Sequence, residues 1–192
     1  MSFSDRLLSA NPHDAALLQT AAVVLSGWTP PGPVTLFSTS CAEKSWQPWS
    51  EAVFVPHIVP VLSEVLSAAS LGQWKSMADL SRRLDGLLPA DLAASSAFAG
   101  RSFAQAFSRD SRDRPWKRCL DAIDAGEWPP HLAVLMAVRA ANFHIPHRAI
   151  TALYVLLEAK GLQASGVRLD EVAMLSDCLA ACPAPAFGLR AA

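Results

Sequence analysis

Histidines and cysteines are the side chains here most able to do chemistry, and their spacing decides whether they could do it together. The chain has five of the first and four of the second. His144 and His147 are three apart, a separation that on one continuous helix would bring both rings to one face. Pro146 lies between them at an expected helix junction, so that shared face is broken. His57 and His131 each stand beside a proline at an expected helix start and read as capping or surface groups. Cys178 and Cys182 are four apart, with no second pair at a zinc-site spacing. No metal site is expected.

Nucleophilic and acid–base chemistry finds no better foothold. There is no Gly-x-Ser-x-Gly elbow, no phosphate-cradling glycine loop and no His-Glu-x-x-His. Gly100-Arg101-Ser102 falls in mid-helix by periodicity, where the strained turn of a nucleophile is not expected. Asp79, Asp85, Asp121, Asp124 and Glu158 read as a solvated face, because no apolar context in the sequence would raise a carboxyl group toward acid–base work. No catalytic residue and no cofactor site is expected, which leaves binding as the function class. A deep pocket lined by His131, His144 and a carboxylate would point to an enzyme instead.

The elements that must carry these residues are helical. Val55, Ile58, Val59, Leu62, Val65, Leu66 and Ala69 recur at helical spacing, with Pro60 expected to kink or delay the start. Met77 to Leu88 predicts a second helix ending before Pro89. A third is expected over about Asp91 to Phe107, then a polar loop from Ser108 to Arg114 and a short helix begun by Pro115. Pro129-Pro130 and Pro146 open two more, to about Asn142 and Gly161. The last is expected from about Leu169 to Ala181, and an N-terminal one from Pro12 to Ser26. No hairpin signal accompanies the short extended runs. The expectation is an all-α, single-domain bundle of about seven to nine helices over 1–192.

Composition bounds the partners. The net charge of −1 is interspersed, so the basic footprint that nucleic acid demands is absent. Charged residues are only 17% of the chain, below the roughly 25% usual for globular domains. Either a partner covers an apolar face or the surface is rich in Ala and Ser. Apolar stretches break before the roughly 18 residues of a membrane span, and no signal peptide is read at Met-Ser-Phe-Ser-Asp. The cytoplasm is therefore expected, with reduced thiols.

Residues 27–50 differ from the rest, being rich in Pro and Trp and expected to be irregular, as functional segments often are. Trp28, Phe37, Trp46, Trp49 and Phe54 cluster in or beside it. They suit either a docking hot spot or the pinning of that segment onto the helices. Tyr154, the only tyrosine, sits four residues before Glu158 on an apolar helix, where a buried hydroxyl needs a partner.

Four stretches, taken in order, resemble the urease accessory protein of the F type, an all-helical assembly factor for a nickel enzyme. Pro33-Val-Thr-Leu-Phe-Ser-Thr-Ser40 is similar to that family's Pro-Val-Gly-Gly-Phe-Ser-Tyr-Ser, after a Leu17-Leu18-Gln19 helix. Gly72-Gln73-Trp74 matches a turn within its helical pair, and Gly100-Arg101-Ser102 matches its Met-Gly-Arg-Ser helix. Ala152-Leu153-Tyr154 and Val167-Arg168-Leu169 occupy the places of its Ala-Tyr-Leu and Val-Arg-Leu. Thr35 and Leu36 replace paired glycines, and the family's Pro-Leu-Gly-Gln-Thr-x-x-Gln loop has no counterpart before Asp170. The resemblance implies a non-enzymatic helical platform, dimeric, that binds a second accessory protein, a GTPase nickel chaperone and the apo-enzyme. It marks Phe37, Ser38, Arg101, Tyr154, Arg168 and Arg190 as partner-binding residues, beside Trp46 and Trp49 of the aromatic cluster. The lost glycines and loop keep open a helical scaffold subunit of some other maturation or biosynthetic complex.

Overall fold

The computed structural model describes residues 12–28, 46–107, 114–164 and 168–182. Among them are eight helices and no strand, as the periodicity requires. Helix α1 spans Pro12–Ala21 and runs on into a 3-10 turn, Ala22–Leu25. Helix α2 is Gln47–Ser70. Then follow α3 (Trp74–Leu87), α4 (Ala90–Ala106), α5 (Arg114–Asp124), α6 (Leu132–Asn142), α7 (His147–Ala164) and α8 (Glu171–Ala181).

Helix α6 is the centre of the packing. Every residue from Leu132 to Val138 is at most 1% exposed, which explains why its sequence is apolar all round rather than striped. Helix α2 lies along one side of α6 and α4 along another. Helix α7 is nearly as deep, buried continuously from Ala149 to Ala159 among α1, α2 and α8. Two helices without a solvent face account for much of the missing charge. The exposed side of α4 accounts for more, because Ala90, Ala94 and Ser95 stand there.

Helix α2 departs from the expected start. It begins at Gln47, so Trp46-Gln-Pro-Trp49 belongs to a helix entrance rather than to an irregular segment. Its residues Ser50–Ile58 are π-helical, with Pro56 inside and the Val59 amide donating to the Phe54 carbonyl five residues back. Pro60 therefore neither starts nor stops the helix; it sits in the first turn of the α-helical part, Val59–Ser70. Prolines lack the amide hydrogen an α-helix needs, and the wider π turns accommodate them. At 24 residues α2 is long and apolar enough to cross a membrane by length and composition, contrary to the expected breaks. Here its Val59, Val61, Leu62 and Val65 are core residues.

Other ends follow local chemistry. Asp170 caps α8, its carboxylate accepting from the Val172 and Ala173 amides at 3.0 and 3.3 Å. Helix α5 closes at Gly126, whose φ of +72° only glycine adopts cheaply. Helix α7 continues past Gly161 to Ala164.

Candidate partner-binding surface

Gly100, Arg101 and Ser102 are consecutive in α4 and face three different surroundings. A side chain at Gly100 would overlap the Pro130 carbonyl and lie 2.8 Å from the Leu132 amide, so α4 meets the start of α6 backbone to backbone. Ser102 Oγ accepts a hydrogen bond from Trp28 Nε1 at 3.2 Å. Arg101 is exposed and has no ion-pair partner among the described residues. Among the described residues the fold uses the glycine and the serine and pairs the arginine with no charge.

Trp28 holds the chain entering residues 29–45 onto α4. Its ring is 8% exposed and meets Phe103 edge-on at 5.1 Å. From Phe103 the aromatic contacts continue to Phe107 (4.8 Å) and Trp116 (6.0 Å). Arg139 on α6 lies over the Phe107 ring at 3.5 Å and the Phe143 ring at 5.1 Å, and its Nε donates to the Val24 carbonyl at 3.0 Å. A cation over ring faces beside a backbone acceptor locks α6 to the 3-10 turn. Neither the Trp28–Ser102 bond nor the Arg139 stack had a signal in the sequence.

A cleft of about 650 Å³ opens between α4 and α5, lined in part by Arg101, Gln105, Phe107, Leu120 and Ile123. A second, of about 620 Å³, lies between α2 and α3. The charges of that second cleft satisfy each other: Arg83 meets both Glu64 oxygens at 3.0 Å, and Arg82 meets Asp79 at 2.7 Å. His131 and His144 line neither cleft. Among the described residues no group of three or more His, Cys, Asp or Glu side chains is placed to hold a metal ion.

Of the aromatic and polar residues singled out from the sequence, Trp49 and Tyr154 are core. Trp49 stacks on Phe54 at 5.0 Å, and Phe54 on Tyr154 at 6.3 Å. Trp46 is half-buried against the same cluster. Arg168 is exposed just before the α8 cap. Phe37, Ser38 and Arg190 lie outside the described residues.

Two sequence readings need correction. His131 is not a surface group: it is fully buried, with Nε2 3.1 Å from Asp85 Oδ1 and Nδ1 without a partner. Burial lowers its pKa below 6.5, more than the nearby Asp85 carboxylate raises it. Glu158 is not on a solvated face, being 1% exposed. It lies beside Tyr154, whose phenol is pushed well above its usual range, first by burial and then by that carboxylate. Cys182 is half-buried, and its Sγ donates to the Cys178 carbonyl at 3.1 Å. Burial lifts its thiol to about 11 and that of Cys178, which donates to Ser50 Oγ at 3.6 Å, to about 12. Neither is a ready nucleophile.

Packing thus dominates, and no reactive constellation emerges from the described residues. The UreF family model matches residues 44–174, from just before α2 into α8. The chain belongs to the UreF family. No curated protein and no solved structure matches it. The UreF match covers the α4 motif, the central helices α6 and α7 and the cap of α8. It stops short of Pro33 to Ser40 and of Arg190, which include the segment where the paired glycines are replaced. As a UreF protein the chain has a urease accessory role.

Proposed function

We propose that the chain acts in the cytoplasm as a non-enzymatic helical platform for nickel loading into urease. In this reading it binds a second accessory protein and a GTPase nickel chaperone, and through them the apo-enzyme, as a homodimer. The observation that carries it is the family match over 44–174. The packing supports it: two helices are immobilised on all sides, and α4 is held rigidly at Gly100 and Ser102. A rigid face favours one arrangement of bound partners over others, which is how a protein without chemistry can advance a metal transfer. Arg101, Arg168 and Trp46 are the described residues offered for contact. Trp49 and Tyr154 act from the core by shaping α2 and α7, and Phe37, Ser38 and Arg190 complete the set.

Co-expression of the tagged chain with a urease operon lacking its own F-type gene tests this. Co-purification of the accessory proteins and restored urease nickel content are expected. Normal expression without either result would remove the platform role and leave a scaffold of some other complex.

A further inference from the structure

We propose that the cleft between α4 and α5 docks an acidic segment of a partner protein, with a carboxylate on Arg101 and an apolar side chain on the floor. The proposal rests on the platform reading above and adds the chemistry of one contact.

The charge balance of the two clefts separates them. In the α2–α3 cleft Arg83 and Glu64 already neutralise each other, so an incoming ion would have to break an existing pair. In the α4–α5 cleft Arg101 has no such partner among the described residues, while Asp124 on the other wall already has an interaction of its own within the chain. Arg101 is thus the charge this cleft offers to a ligand. A guanidinium presents a planar fork that matches a carboxylate with two parallel hydrogen bonds.

The floor asks for something else. Phe107, Leu120 and Ile123 come from both walls, and a volume of about 650 Å³ accommodates more than one side chain. Phe98 lies three residues before Arg101 and Gln105 four after, so the three share one helical face. Phe98 is 66% exposed, a large apolar ring turned mostly to solvent. An arginine over an apolar floor, with an exposed aromatic one turn away on the same helix face, is the composition of a protein-docking hot spot. Gly100 and Ser102 fix the backbone beneath them, so little ordering cost remains at binding.

The test uses the full-length tagged chain co-expressed with the urease accessory proteins. R101E is expected to lower the captured partner on the order of tenfold or more, and R101K, which keeps the charge but loses the fork, to lower it by less. R83E, in the other cleft, is expected to change nothing. The R101K variant also adds an amine that a zero-length carbodiimide reagent couples to a touching carboxylate. Mass spectrometry is expected to find that link on an Asp or Glu of the partner. Capture by the native protein that R101E leaves intact overturns the cleft assignment and spares the platform reading. No capture even by the native protein overturns both. If R101E lowers the melting temperature, the R101K link decides: one to the partner upholds the proposal, whereas none, or one to a second copy of this chain, overturns it.

Discussion

Gly100 faces the Pro130 carbonyl with no room for even a methyl group between them. That contact sets two rules about helices against each other. In an open helix, replacing glycine by alanine stabilises by about 1 kcal/mol. Here G100A would push α4 off the start of α6, and overpacking costs about 1–3 kcal/mol, more where backbone must move. The expected result is a lower urea midpoint with an unchanged slope. A midpoint equal to or above that of the native chain would show that the two helices are not in backbone contact.

Acid should loosen this fold before the carboxylates begin to titrate. His131 and His147 both have pKa values lowered from 6.5, with burial the main cause in each. Their neutral forms are the folded ones, so stability is full above 6.5 and is lost as pH falls from there through the lower folded pKa values. Melting temperatures taken between pH 8 and 5 should therefore fall on the acid side. In H131Q the fall should be shallower, and a profile identical to the native one would refute the assignment.

The single tyrosine makes the opposite limb measurable. Tyr154 is buried beside Glu158 with its phenol held well above 10.0. The folded state keeps a proton that the unfolded chain releases near 10.0, so this contribution is intact below that pH and is lost as pH rises toward the folded value. Phenolate absorbance should appear only together with loss of helical circular dichroism. Ionisation of a still-folded protein near pH 10 would mean that the hydroxyl reaches water.

The Trp28–Ser102 bond should be a measurable clamp. W28F keeps most of the ring and removes the donor; S102A removes the acceptor. Each should cost about 0.5–1.5 kcal/mol. In a double-mutant cycle the two losses should fail to add by a similar amount, because they delete one interaction. Full additivity would place the two groups out of contact.

Periodicity made most helices readable, since Leu62-Val65-Ala69 or Met77-Leu80-Leu84 has only one sensible face. The helix entrance at Gln47 was not readable, because Pro48, Pro56 and Pro60 signal interruption and only the burial of Trp49, Phe54 and Ile58 in the core shows that the chain continues through them. His131 looked like a surface residue because it follows two prolines; its burial depends on how closely α4 approaches, which Gly100 decides from thirty-one positions away. Glu158 sits at the right spacing to meet Tyr154, but nothing local says that a whole turn of α7 is enclosed. Arg101 stood out only within its motif. Its neighbours' separate tasks became visible when Pro130 and Trp28 were both in place.

The π-helical stretch of α2 has a consequence for insertions and deletions. Ser50, Phe54 and Ile58 all face inward at four-residue steps. An α-helix advances about 100° per residue, so such steps would drift by about 40° each; the wider turn removes that drift. Deleting any one residue between Ser50 and Ile58 would let the helix tighten and would swing Trp49 around the axis relative to Val59 and the α-helical part of α2. The number of residues separating Trp49 from Val59, more than their identity, is what aims the tryptophan.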